Sequence, residues 1–215
     1  MRASDSLLPA PGRGQYDRRV PRQRRQATQR ARLLTATALV LATDPAASVA
    51  SVIRAAGVGR NSFYEYFDDF EHAREAVLGE LERWLVDALR DAERSVRTPV
   101  ESFRSLSATW FTLATEQPAQ WLALSGVSPT DTRPLARAGI VFADALERSV
   151  SGFARRGVIA RPPDRVRVLL VAAGAEALAR PLARDALRAP VGARSGNAVE
   201  RARSLLVDTA VRLLH

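Results

Sequence analysis

The stretch AGVGRNSFYEYF, residues 56–67, constrains the fold of this 215-residue chain more than any other feature. It holds two glycines, one arginine and four aromatic residues, whereas the whole chain has 3 Trp, 3 Tyr and 7 Phe. Ser48 upstream is a favoured N-cap residue, and Gly57 suits the left-handed position that ends a helix. The sequence therefore predicts two short helices, over about 49–56 and 60–67, joined by a tight glycine turn.

This helix-turn-helix arrangement divides its side chains between packing and an exposed face. Apolar residues of the first short helix can pack across the turn against Phe63 and Phe67. The second helix then presents side chains that can read base edges, since arginine pairs with guanine, asparagine with adenine and glutamate with cytosine. Tyrosine hydroxyls can donate to phosphates, which fixes the register without reading sequence. The predicted DNA-contacting residues of this segment are Ser48, Arg60, Asn61, Ser62, Tyr64, Glu65 and Tyr66.

The basic charge of the chain lies mostly in its N-terminal third. Residues 1–62 contain 11 arginines and three acids, whereas residues 63–215 contain 21 arginines and 20 acids. A localised basic segment is the electrostatic footprint of a protein that binds a polyanion. Residues 1–22 are also rich in proline and glycine, which predicts a disordered basic arm; a merely solvated tail is the alternative. The arginines of this region predicted to contact DNA are Arg22, Arg24 and Arg25.

Composition argues against several other classes of protein. The absence of cysteine excludes disulfides, thiolate metal sites and cysteine nucleophiles. The chain has only two histidines, His72 and His215, which argues against a Ser-His-Asp catalytic arrangement and against a histidine metal site. No apolar run reaches the roughly 18 residues of a membrane helix. We therefore expect a cytoplasmic protein without cofactor or metal that is not an enzyme; an all-α enzyme is the disfavoured alternative.

The remaining sequence has helical periodicity and no alternating strand pattern of useful length, so the predicted fold class is all-α. Three long helices close the chain, over about 133–156, 163–187 and 198–214. The predicted domains are the disordered basic arm over residues 1–22, a three-helix DNA-binding domain over 23–70, and a ligand-binding and dimerisation domain over 71–215.

The segment SVASVIRAAGVGRNSFYEYFDDFEHAREAVL, residues 48–78, resembles the DNA-binding segment of the TetR family of bacterial transcriptional repressors. The family pattern is a hydroxyl-capped helix, Ala-Gly-Val, an arginine-containing recognition helix, Tyr-x-aromatic-Phe and an acid before a long helix. The FYEYF form is most similar to actinobacterial members with large apolar effector pockets. The matching residues are Ser48, Ala56-Gly57-Val58, Arg60, Tyr64-Glu65-Tyr66-Phe67 and Glu71.

The resemblance implies a ligand-responsive repressor that binds a palindromic operator in double-stranded DNA as a homodimer. An apolar small-molecule effector would bind among the helices that precede the last two. The ligand-binding candidates are Phe103, Trp110, Phe111, Trp121, Phe142 and Glu176. Ordinary core packing is the alternative for the aromatics, and an arginine-paired or surface carboxylate is the alternative for Glu176.

The resemblance also implies that the last two long helices pair with their copies in a four-helix arrangement. Apolar stripes at helical spacing allow this pairing, and packing within one chain is the alternative. The residues of these stripes are Val168, Leu169, Ala172 and Leu178 on one helix, and Leu205, Leu206, Ala210 and Leu213 on the other.

The sequence departs from the family pattern beside the recognition helix. Gly59 stands where a serine often caps that helix. Asp68, Asp69 and Phe70 replace the usual Pro-Ser-Lys, which removes a phosphate-contacting lysine and adds two acids near the DNA backbone. These departures favour an alternative function, a helical small-molecule-binding or interaction protein whose helix-turn-helix no longer binds DNA. A further alternative is that residues 56–67 only join two core helices.

Overall fold

The computed structural model describes residues 22–44, 46–126, 135–189 and 196–214. Within these ranges the regular structure is entirely α-helical, which confirms the predicted fold class. The predicted basic arm lies outside the described residues except for Arg22, which begins the first helix. The described helices are α1 (Arg22–Thr43), α2 (Val49–Ala56), α3 (Arg60–Tyr64), α4 (Phe70–Glu93), α5 (Pro99–Glu116), α6 (Pro118–Leu124), α7 (Arg137–Arg155), α8 (Arg165–Arg188) and α9 (Gly196–Leu214).

Residue contacts divide the chain into two units, the first ending at Leu81 and the second beginning at Glu82. The division falls inside α4, whereas the domain boundary predicted from the sequence coincides with the start of that helix. The Asp69 carboxylate accepts a hydrogen bond of 2.7 Å from the backbone N–H of His72. An acid at this position both satisfies an otherwise unpaired N–H group and complements the helix dipole, so Asp69 fixes where α4 begins.

In the first unit, α1 packs against α2, and α2 packs against α3. Phe63 is fully buried and Phe67 is 2% exposed, in agreement with the prediction that these two residues pack across the turn. Val52 of α2 and Leu33 and Leu34 of α1 complete this core. The short third helix is therefore held to its scaffold by aromatic side chains on one side.

In the second unit, α5 and α8 are the central helices, and each packs against α6, α7 and α9 as well as against the other. The Thr98 hydroxyl accepts from the Glu101 N–H at 3.2 Å, and the Glu101 carboxylate accepts from the Thr98 N–H at 3.2 Å. This reciprocal cap, with Pro99 in the first turn, fixes the start of α5. None of the described helices is long and apolar enough to span a membrane.

Two helix starts differ from the sequence prediction. α8 begins at Arg165 rather than at the proline pair 162–163, because the Asp164 carboxylate caps it by accepting from the Arg167 N–H at 2.9 Å. The helix also continues through Pro181. α7 begins at Arg137 rather than near residue 133, which lies outside the described residues.

The end of α3 also differs from prediction, because the helix stops at Tyr64 instead of continuing to Phe67. The Tyr66 N–H bonds to the Phe63 carbonyl at 3.0 Å, three residues back, so the last turn tightens. The Phe67 N–H still reaches the same carbonyl at 3.1 Å, which keeps the Phe67 ring on the buried side.

Candidate nucleic-acid interface and ligand-binding half

The start of α2 is fixed by side-chain hydrogen bonds. The Ser48 hydroxyl accepts from the Ser51 N–H at 3.3 Å, and the Ser51 hydroxyl donates to the Asp44 carboxylate at 2.9 Å. This network ties the end of α1 to the start of α2. Ser48 therefore has the capping role that the sequence predicts, and its hydroxyl is engaged within the protein.

The turn between α2 and α3 depends on Gly57, which has φ 62° and ψ 40°. A side chain is strained in this left-handed conformation, so glycine is required here. The guanidinium of Arg32 donates to the Ala56 carbonyl at 2.7 Å, which places a positive charge at the C-terminal end of α2. Helix α1 thus positions the turn that precedes α3.

Helix α3 presents its side chains in two directions. The buried Phe63 ring lies 5.6 Å from the Phe67 ring, whereas Tyr64 is 45% exposed. The Arg60 guanidinium lies 5.6 Å from the Tyr64 ring centroid, a cation–π distance that pre-positions the arginine. Asn61 and Glu65 are also exposed. We call the exposed set Arg60, Asn61, Tyr64 and Glu65 the α3 face.

Other predicted DNA-contacting residues lie off the α3 face. The Tyr66 hydroxyl is buried without a hydrogen-bond partner, and this burial, followed by the charge of Glu65, raises the pKa of Tyr66. The predicted phosphate contact of Tyr66 is therefore not available in this conformation. Ser62 is half-buried. Arg22, Arg24 and Arg25 lie in the first turns of α1, and their side chains are outside the described part of the chain.

The departures beside α3 have local structural explanations. Gly59 precedes α3 in an extended conformation and gives it no side-chain cap. Asp69 caps α4, and the Asp68 carboxylate lies 3.1 Å from Nδ1 of His72 on the same helix. The two acids thus stabilise the first turn of α4.

Four of the predicted ligand-binding aromatics are packed into the core of the second unit. The Trp110 ring centroid lies 5.1 Å from that of Trp121 and 4.7 Å from that of Phe142, and its indole N–H donates to the Ala175 carbonyl at 3.1 Å. These residues and Phe111 are fully buried. In this conformation they occupy core positions, which is the alternative that the sequence left open.

The Glu176 carboxylate is a buried charge with an arginine partner. Its side chain is hydrogen-bonded to Arg180 one turn later. Burial raises the pKa of Glu176, and the charge of Arg180 opposes that rise. The other carboxylate oxygen lies against Gly139, where an added Cβ would come within 2.5 Å of it. A side chain at position 139 would therefore require the Glu176 carboxylate to shift.

A row of buried polar atoms without hydrogen-bond partners follows one face of α6. These atoms are Oε1 of Gln117, Nε1 of Trp121 and Oγ of Ser125, at four-residue spacing, and Ser107 of α5 has an unpartnered hydroxyl as well. Each such atom costs about 1–3 kcal/mol when it stays unsatisfied. Sequence reasoning missed this row because a polar atom's lack of a partner depends on tertiary packing.

A cavity of about 490 Å³ lies in another part of the second unit. Its walls come from the first half of α5, the end of α7, the segment 158–161 and Ala210 of α9. Phe103 is the one sequence-predicted ligand candidate among its described lining residues. Apolar wall residues include Val100, Phe103, Leu106, Leu146, Val150 and Ile159, and the polar ones are Ser149 and Arg161.

No protein-family model and no curated protein sequence matches this chain. Several solved structures are similar to it. A TetR-like regulator from Rhodococcus sp. has a TM-score of 0.66 and 17% identity over 90% of this chain and 97% of that one. A TetR family regulator from Marinobacter aquaeolei has a TM-score of 0.63 and 20% identity, covering 86% and 97% of the two chains.

The transcriptional regulator FadR from Bacillus subtilis, solved in complex with stearoyl-CoA, is also similar, with a TM-score of 0.65 and 13% identity. The likeness covers 86% of this chain and 98% of that one. The chain therefore has the TetR-like fold that its helix-turn-helix segment implied. At these sequence identities the likeness establishes the fold, and function depends on the residues at the site.

Proposed function

We propose that this protein is a DNA-binding transcriptional regulator, a ligand-responsive repressor that binds a palindromic operator as a homodimer in the cytoplasm. The observation that carries the proposal is the α3 face. Its charged and polar side chains are exposed on a helix whose opposite side is anchored by the buried Phe63. The similarity to solved TetR family regulators supports the same conclusion.

The α3 face has the side chains needed to read a major groove. In a helix-turn-helix the second helix enters that groove, and arginine, asparagine and glutamate recognise different base edges there. Arg60 would pair with guanine, Asn61 with adenine, and Glu65 with cytosine. The exposed Tyr64 hydroxyl would donate to a phosphate, which fixes the register of the other three.

The homodimer part of the proposal rests on apolar side chains that a single chain leaves exposed. Val166 and Leu170, one turn apart on α8, are 65% and 57% exposed, and Leu205 of α9 is 56% exposed. Burying them against a second copy would remove this apolar surface from water. Part of the stripes expected to form the interface packs inside the chain instead, namely Val168, Ala172, Leu206 and Ala210.

Repression would respond to a ligand that binds two conformations of the protein unequally. A ligand shifts such an equilibrium only by its difference in affinity for the two states. The second unit offers both a cavity and unpartnered buried polar groups where this difference can arise. A small-molecule complex of a protein with this fold, the stearoyl-CoA complex of FadR, supports this part of the proposal.

The test is the affinity of purified variants for a duplex that the wild-type protein selects. Because one bidentate base contact discriminates by about 1–3 kcal/mol, Arg60→Ala should weaken binding at least about tenfold and relax the preference at one base of each half-site. Arg94→Ala is the matched control, since it removes the same charge from a side chain that is 78% exposed in the second unit. Wild-type affinity in folded Arg60→Ala protein would refute the role of the α3 face.

A second candidate function is a small-molecule-binding or interaction protein whose helix-turn-helix has lost DNA binding. Two features beside α3 favour it: Gly59 gives the helix no side-chain cap, and the acid Asp68 is exposed. The same selection experiment separates the two functions. Absence of any sequence-selective duplex binding at low salt, in protein that is folded and dimeric, would favour the second candidate.

A further inference from the structure

The cavity of the second unit has a closed apolar interior and an accessible mouth. Leu106 is fully buried, and Leu146 and Phe103 are 1% and 7% exposed, so these side chains form its depth. At the mouth, Val158 is 53% exposed, and Ala160 is also exposed. A ligand can therefore enter past the segment 158–161 and bury an apolar portion against α5 and α7.

The two polar side chains of the cavity differ in whether they already have hydrogen-bond partners within the protein. The Ser149 hydroxyl lies 2.6 Å from the Ser102 hydroxyl and is hydrogen-bonded to the half-buried Glu93 carboxylate, so it is already engaged by the protein. Arg161 is the one charged side chain among the described lining residues. It makes no ion pair or hydrogen bond within the described ranges. Its planar guanidinium, with five N–H donors, matches a carboxylate.

We propose that this cavity is the effector site of the regulator and that its ligand is an aliphatic carboxylate, with the chain against the apolar walls and the carboxylate on Arg161. This inference rests on the proposed function. The volume of about 490 Å³ is within the range of small-molecule sites. A cationic ligand would be repelled by Arg161, and a neutral one would leave it without a charge partner.

The aromatic cluster around Trp110 is less suited to the ligand. The Trp110 ring centroid lies 4.7 Å from that of Phe142 and 5.1 Å from that of Trp121, and all three side chains are fully buried. Such packing leaves no ring face open to a ligand in this conformation.

The wall of the cavity is hydrogen-bonded to α4, because the Ser149 side chain bonds to Glu93, the last residue of that helix. Helix α4 begins in the first unit.

The test compares acids with an alcohol of equal chain length by calorimetry, using octanoate, decanoate, dodecanoate and decanol. We expect decanoate to bind the full-length protein about two to five times more tightly than decanol, which corresponds to the contribution of a solvent-accessible ion pair. Arg161→Ala should reduce decanoate affinity to that of decanol and leave decanol binding unchanged. Arg156→Ala is the matched control, because its guanidinium stacks on Phe153 at 4.5 Å outside the described cavity lining.

A second variant locates the chain of the ligand. Ala160→Trp should block the mouth and abolish binding of both decanoate and decanol, while thermal unfolding shows that the exposed loop position tolerates the change. The inference is overturned if none of the three acids binds the wild-type protein, if Ala160→Trp binds decanoate as tightly as wild type, or if Arg161→Ala and Arg156→Ala behave alike.

The effector role is tested separately by the effect of decanoate on operator affinity. We expect saturating decanoate to weaken operator binding at least about fivefold, the low end of typical coupling between sites. Binding without any change in operator affinity would leave a ligand site that is not an effector site, and would overturn the inference. Failure of the ligand-free protein to bind any operator would contradict the proposed function instead, so the two failures are distinguishable.

Discussion

Two serines of α5 should respond to the same substitution with opposite signs. Ser102 and Ser107 are 1% and 0% exposed. The Ser102 hydroxyl lies 2.6 Å from the Ser149 hydroxyl, whereas the Ser107 hydroxyl has no hydrogen-bond partner. Replacing each by alanine removes one oxygen from an equally buried site on one helix. The pair therefore isolates the contribution of a hydrogen-bond partner.

The magnitudes follow from what each hydroxyl does in the fold. A buried polar group without a partner costs about 1–3 kcal/mol, so Ser107→Ala should raise the free energy of unfolding by about 1 kcal/mol or more. Ser102→Ala removes a hydrogen bond and leaves the Ser149 hydroxyl with fewer partners, so it should lower the free energy of unfolding by about 1–2 kcal/mol. The expected difference between the two variants is about 2–5 kcal/mol.

The assay is urea unfolding followed by far-UV circular dichroism at one fixed protein concentration. The concentration is fixed because the stability of the proposed homodimer would depend on it. The midpoint should move to higher urea for Ser107→Ala and to lower urea for Ser102→Ala, with the slope m unchanged. Equal destabilisation by both variants would refute the reasoning, since it would mean that Ser107 has a partner that stabilises it as much as Ser149 stabilises Ser102.

Further predictions concern the turn before α3 and the buried acid of α8. Gly57→Ala should destabilise the protein by about 1–2 kcal/mol because φ is 62°. Gly59→Ser should stabilise it by a few tenths of a kcal/mol, because serine adds the missing side-chain cap and glycine is already tolerated at this position. Thermal unfolding compares the two variants, and shifts of the same sign would contradict the reasoning. Burial raises the pKa of Glu176, so the folded protein holds this proton more tightly than the unfolded chain. The free energy of unfolding should therefore fall as pH rises above the ordinary glutamate pKa of about 4.3, and Glu176→Gln should lack this fall in urea unfolding at a series of pH values. Identical pH profiles of the two proteins would contradict the assignment.

Local signals in the sequence were sufficient for most of the first unit. The Ser48 side chain suits an N-cap, and Gly57 suits the left-handed position after a helix. Both residues have these roles at the two ends of α2. The burial of Phe63 follows from the apolar spacing across the turn. The end of α3 was predicted less well, because the hydrogen bond from Tyr66 to Phe63 that tightens its last turn has no separate sequence signal.

The second unit was harder to predict because periodicity identifies buried faces and does not separate core from cavity. Phe103 and Trp110 are both ligand-binding candidates from the sequence and both lie on α5, yet of the two only Phe103 lines the described cavity. Arg161 and Ser149 carried no motif, and their placement depends on how α7 and the segment after it pack against α5. The start of α8 could have been found, since Asp164 is a favoured capping residue directly before Arg165.

The central claim is that the α3 face reads DNA, and selection from a random-sequence duplex pool by the full-length protein tests it most directly. We predict enrichment of a palindrome whose half-sites lie about 34–36 Å apart, or a multiple of that, as expected for two helix-turn-helix units related by two-fold symmetry. The logarithm of affinity for that duplex should fall linearly with the logarithm of salt, at about −0.9 per phosphate neutralised. A pool that stays random after repeated selection at low salt would contradict the account.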